Sequence, residues 1–116
     1  MDLLFLSGTT ALDLYHLHPH VPYEITMPED IAGQTHMCMR NLKEVLDDQG
    51  ATWRDVVKIN RFQKDITESA AIEDVMAQYF DYWDWWPAMT AMEISKLSSE
   101  PARLEIELIA VIPRDA

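Results

Sequence analysis

Residues 104–112, LEIELIAVI, alternate without a break. Leu104, Ile106, Leu108, Ala110 and Ile112 fall on one side of an extended chain and make a wholly apolar face. Glu105, Glu107, Ile109 and Val111 make a mixed face on the other side. A strand with one such face needs a packed layer against it, and two stretches upstream can supply that layer. Ile31, Thr35, Cys38, Leu42, Val45 and Leu46 recur at three- and four-residue steps, the signature of a helix with one buried stripe. Ile72, Val75, Met76, Tyr79, Phe80 and Trp83 repeat the pattern, and Pro87 bars any continuation of the helix beyond it.

The ends of these helices are also marked. Thr26 and Glu29 have the spacing of a capping box, with Pro28 in the first turn and Asp30 favouring the positive end of the helix dipole. Gly50 is placed to close the first helix, and His36, Lys43 and Asp47 fall on its solvated side. Asp65 or Thr67 is the expected cap of the second helix. Three more strands complete the set. LLFLS, residues 3–7, ends at the turn pair Ser7-Gly8, and VVKINRF covers residues 56–62. Thr90, Met92 and Ile94 alternate with Met89, Ala91, Glu93 and Ser95.

The order β-α-β-α-β-β predicts an α+β sandwich in one domain, 1–116, with a mixed sheet and both helices on one face. The other face of the sheet is half apolar. A monomer would leave it in water, so a homo-oligomer with its sheets facing one another is expected.

Composition closes off several function classes. With 48% hydrophobic and 25% charged residues the chain reads as soluble and globular. Nine lysines and arginines stand against twenty acids, a formal charge of −11, and no basic run offers a surface for phosphates; nucleic acid is not an expected partner. The apolar stretches are short and punctuated, so no membrane span is expected. MDLLFLSG is too short and wrongly charged for a signal peptide. The single cysteine, Cys38, cannot form an internal disulfide and lies on the buried stripe, where an inert thiol is expected. Together these point to the cytoplasm.

One segment resists regular structure. In YHLHPHVPYE, residues 15–24, Pro19 and Pro22 interrupt any strand or helix. His16, His18 and His20, with Glu24, have side chains that ligate zinc. Pro19 spoils their alternation, however, and no cysteine or second histidine cluster completes a set. No metal or other cofactor is expected, and the loop reads as a cover over a pocket or an interface element.

The pieces LFLSGTTALD, QT near the start of the first helix, NLKEVLDDQGATWRDVVKIN, KDI, YF, PAMTAMEI and LEIELIAVIP occur in a specific order. By that order the chain resembles the Rid family, the YjgF-like reactive intermediate deaminases, over nearly its whole length. The resemblance implies a chorismate-mutase-like fold and a homotrimer whose sheets form a central barrel, with a small-molecule pocket at each subunit contact. It also implies hydrolysis of imines and enamines such as 2-aminoacrylate to ketones and ammonia, without a cofactor.

Carried over position by position, the resemblance makes Ser7 the serine of the pocket turn, followed by Gly8, and Glu105 the acid that positions the attacking water. The family's tyrosine ahead of the first strand has no counterpart here. Its cysteine is Ala91, and the arginine that grips the substrate carboxylate is Met89. A thioether is a weak acceptor and a soft hydrophobe, whereas arginine offers carboxylates a planar two-pronged donor. The expected substrate is therefore a small metabolite different from the usual amino-acid imines. Glu105 is the candidate catalytic residue; otherwise it is a solvated strand residue like Glu107. Arg103, two residues before Glu105 and so on the same side of a strand, is a candidate replacement cation, or else a surface arginine at a strand start. Trp86, in the turn before Met89, either walls the pocket or seals the subunit contact. A non-catalytic trimer that binds a small ligand or acts as a chaperone is the alternative to an enzyme. The ribonuclease label once attached to the family conflicts with the acidic charge.

Overall fold

The computed structural model describes residues 1–12, 27–80 and 86–113. Four strands, β1 (Asp2–Thr9), β2 (Val56–Gln63), β3 (Ala88–Glu93) and β4 (Leu104–Ile112), and two helices, α1 (Ile31–Asp48) and α2 (Ser69–Met76), take the expected order. The sheet runs β1-β4-β2-β3. β4 pairs antiparallel with β1 and β2, while β2 and β3 are parallel, so the sheet is mixed. Both helices cover one face of it.

The apolar face of β4 anchors this packing. Leu104, Ile106, Leu108, Ala110 and Ile112 are all buried, in one cluster with Cys38, Met39, Leu42 and Leu46 of α1 and Ile72 and Met76 of α2. Removing such faces from water is the main favourable contribution to the fold. Polar groups on the helix side also tie the layers together. The Gln34 side chain donates to the carbonyls of Pro28 and Pro101 (2.9 Å each) and accepts from the Arg103 amide at 2.8 Å, which ties the start of α1 to the entry of β4.

Three local expectations need correction. Asp30, not Thr26, caps α1: its carboxylate accepts from the Gly33 amide at 2.9 Å, and Ile31 is the first helical residue. Thr26 lies outside the described residues. His36 is only half-exposed, because its Nδ1 lies 2.9 Å from the hydroxyl of Tyr79 in the turns that follow α2. α2 is shorter than its stripe. Amide bonds reaching back three residues, Gln78 to Val75 and Tyr79 to Met76, break the helix into turns after Met76. Those turns keep Tyr79 and Phe80 on the core side, so the stripe outlasts the helix. Trp83 lies outside the described residues. The other markers hold: Gly50 closes α1 at φ +71°, and Asp65 caps the turn ahead of α2.

Candidate active site on the open face of the sheet

The strand register lays the open face out in rows. Phe5, Ile109, Lys58 and Ala88 lie side by side in the first, Glu107, Asn60 and Thr90 in the second, and Glu105, Phe62 and Met92 in the third. Lys58 donates to the Thr90 hydroxyl at 2.7 Å, and the Asn60 amide donates to Glu107 at 3.1 Å. Between the first two rows, next to Ser7, is a cavity of about 280 Å³ lined by Phe5, Ser7, Lys58, Asn60, Glu107 and Ile109. Leu3 and Phe5 are 63% and 68% exposed, so much of the face is apolar and uncovered.

At Ser7-Gly8 the pairing of β1 with β4 is irregular: Leu6 faces Leu108, but Thr9, three residues on, faces Ile106 only two residues back. This is a bulge. Its glycine has a specific reason to be there. A Cβ on Gly8 would stand 2.7 Å from Glu105 Oε2 and 2.8 Å from its Cδ, so the carboxylate occupies the space that a side chain would take. Glu105 and the Ser7-Gly8 turn thus form one unit. Partial burial, and then the neighbouring negative charge of Glu107, raise the Glu105 carboxyl above the usual carboxylate range. A carboxylate so perturbed is a better proton acceptor than an ordinary surface glutamate.

The other candidates lie elsewhere in the chain. Met89 pairs with Ile59 and Ala91 with Arg61, which puts both on the helix-facing side of β3, opposite to Glu105. Met89 packs partly buried against the core. Trp86 stands edge-on to Phe80 with ring centroids 5.0 Å apart, and also borders the core. The expectation that Arg103 shares a face with Glu105 is corrected. Arg103 precedes β4, and its guanidinium pairs with Glu68 and donates to the Glu29 carbonyl at 2.6 Å. Cys38 is fully buried, and burial together with the Glu105 charge pushes its thiol up to about 12, so it stays protonated at neutral pH. Among the described residues no group of three or more histidines, cysteines and acids could hold a metal ion; His16, His18, His20 and Glu24 lie outside them. No helix among the described residues is long and apolar enough to cross a membrane.

Sequence reasoning passed over Arg61. The signal was present: in VVKINRF, Arg61 is two residues from Ile59 and so falls on the buried side of β2.

Residues 1–112 match the family described as Endoribonuclease L-PSP. The chain is 32% identical over 112 residues to a RutC family protein of Synechocystis sp., covering 95% of this chain and 78% of that one. The chain belongs to the Rid family. A second Rid relative, a 2-iminobutanoate/2-iminopropanoate deaminase of Dermatophagoides farinae, is 35% identical over 111 residues, with 96% and 79% of the two chains covered. Solved Rid-type structures have the same fold. The Rid protein YyfA of Yersinia pestis superposes with a TM-score of 0.80 at 29% identity, covering 95% of this chain and 80% of that one. TdcF of Escherichia coli, solved with bound serine, superposes with a TM-score of 0.79 at 26% identity, over 96% and 81%. The expected fold, two helices on one face of a mixed sheet, is that of these Rid structures.

Proposed function

We propose that this Rid-family protein is a cytoplasmic homotrimer that hydrolyses a small reactive imine or enamine in a pocket at the subunit contact. The single observation that carries the reading is Glu105, held over Gly8 beside Ser7 with its carboxyl raised above the ordinary range. Glu105 would take a proton from a water molecule as the water oxygen bonds to the imine carbon. Transfer of protons to the nitrogen and cleavage of the C–N bond then leave a ketone and ammonia. An enamine enters the same path after protonation at carbon. The Ser7-Gly8 turn would hold a polar group of the ligand. The exposed apolar side chains on the open face, Leu3, Phe5 and Met92, support an assembly that covers this face. The names of the related deaminases support the reaction class. Because residue 89 is a methionine, the ligand would be held differently from the usual amino-acid imines.

The test is ammonia release from 2-aminoacrylate and a panel of related imines, by wild type and by Glu105→Gln. Loss of a general base should lower turnover by about 10² or more with the fold unchanged. Equal turnover in the two proteins would remove Glu105 from the mechanism. Ligand-dependent stabilisation with no product from any imine would instead identify a non-catalytic binder.

A further inference from the structure

The cavity on the open face extends beyond the Glu105 unit. It is lined by β1, β4 and β2 together, between the row of Phe5, Ile109 and Lys58 and the row of Glu107 and Asn60, with Ser7 at its margin. Glu105 is one row further along β4, about 7 Å away at two residues per row. A chain of two or three carbons spans that distance, and the volume of about 280 Å³ holds such a chain with a polar end group. Phe5 and Ile109 stand opposite one another across β1–β4 and make one wall apolar. The other wall is polar but carries no net charge, because Lys58 and Glu107 are the two charged residues that line the cavity. Lys58 donates to Thr90 Oγ1 at 2.7 Å and has further protons to give. Glu107 accepts from Asn60 through Oε1. Among the described residues nothing donates to Glu107 Oε2 or to the Asn60 side-chain oxygen. The wall therefore offers acceptors and a donor at once. An ion placed here would bring a charge with no counter-charge left to meet it, and an alkyl end would leave the polar atoms unpaired once the face is covered. A neutral group that both donates and accepts avoids both costs.

We infer that this cavity is the subsite for the tail of the substrate, and that the tail is a short alkyl chain ending in a neutral carboxamide. The inference rests on the hydrolase reading given above and narrows its substrate. The imine carbon lies by Glu105, and the chain runs past Ser7 against Phe5 and Ile109. The terminal N–H groups donate to Glu107 Oε2 and the Asn60 side-chain oxygen, while the terminal carbonyl accepts from Lys58. Asn60 is the specificity-determining residue of this arrangement, because it both holds Glu107 in place and supplies an acceptor of its own.

Three methyl ketones of similar shape, the products of such a hydrolysis, provide the probes. They are 4-oxopentanamide, its carboxylate counterpart 4-oxopentanoate, and 5-methylhexan-2-one, in which a branched alkyl end replaces the amide. Each is titrated calorimetrically into the wild type and into Asn60→Leu. The expected result is that wild type binds the amide about 10-fold or more tighter than either of the others, and that Asn60→Leu removes this preference. A wild-type measurement serves if Asn60→Leu does not fold: the Asn60 side-chain N–H resonances should move on adding 4-oxopentanamide and stay still with 5-methylhexan-2-one. Binding of either other ketone as tightly as the amide, a preference that survives Asn60→Leu, unmoved Asn60 resonances, or no binding of the amide by wild type would each overturn the inference. The two readings fail separately. Glu105-dependent ammonia release from the imines of all three ketones at equal kcat/KM sinks this one alone. Asn60-dependent binding of 4-oxopentanamide without ammonia from any imine sinks the hydrolase reading alone.

Discussion

On the helix side of β4, Leu104, Ile106, Leu108, Ala110 and Ile112 are all buried. On the open side of the same strand, Glu105, Glu107, Ile109 and Val111 stay partly exposed. One alternating segment therefore serves two layers of different purpose. The helix side is continuous and apolar, and carries the stability. The open side mixes carboxylates, Lys58 and Asn60 with uncovered Leu3 and Phe5, and its polar groups are bonded to one another and not to the core. A face built in this way can vary its chemistry without unfolding the domain. Arg61 is where the division breaks down, a charged group on the stabilising side.

Substitutions on the two faces should separate sharply. Leu104→Ala, on the buried side, should cost about 2–5 kcal/mol in denaturant unfolding, through lost burial and the cavity left behind. A cost well under 1 kcal/mol would mean that the helix layer is not closely packed there. Phe5→Asp, on the open side, should leave the secondary structure intact and break the proposed trimer into monomers in light scattering. Trimers that survive it would place the subunit contact elsewhere. Asp30→Ala removes the α1 cap and should cost about 1 kcal/mol, less than any large truncation in the core.

The smallest effect has the most informative sign. The folded Glu105 carboxyl holds its proton more tightly than the unfolded one, because burial and Glu107 raise it. Its stabilising contribution is complete below the unfolded value and disappears as pH rises through the raised folded value. At neutral pH the ionised carboxylate is a slight burden. Glu105→Gln should therefore melt a little higher than wild type at pH 7, with the gap closing below about pH 4. A lower melting temperature at pH 7 would mean that ionised Glu105 has a structural partner in the assembled protein. On the proposed function, the same pair of proteins would trade activity against stability, as functional groups held in unfavourable surroundings commonly do.

The element order was legible because both helices and β4 have strong periods, and the 3.6- and 2-residue repeats leave little ambiguity over such lengths. Helix ends were less legible. Thr26, Asp30 and Glu29 all suit a helix start, and only the backbone bond from Gly33 selects Asp30. The site was legible in part. Ser7, Gly8 and Glu105 were named as candidates through family resemblance, and the structure adds the close approach of Gly8 and Glu105. Side-chain direction was the weaker guide at an element boundary. Counting by twos put Arg103 beside Glu105, but the count fails ahead of the first strand residue, where Glu68 and Glu29 draw the guanidinium away. Arg61 was passed over although alternation alone, two residues on from Ile59, marks it as a charge on the buried side of β2.

The bulge at Ser7-Gly8 has a consequence for how the sequence can change in length. Leu6 and Thr9 are an odd number of residues apart, yet both stand opposite buried residues of β4. The extra residue keeps them in phase, and Leu3 and Phe5 stay on the open face as a result. Loss of one residue here would force a choice between turning Leu3 and Phe5 inward and turning Thr9 out. Either result would move the floor beneath Glu105. Insertions and deletions should therefore be rare at this one turn, even while residues around it are freely exchanged.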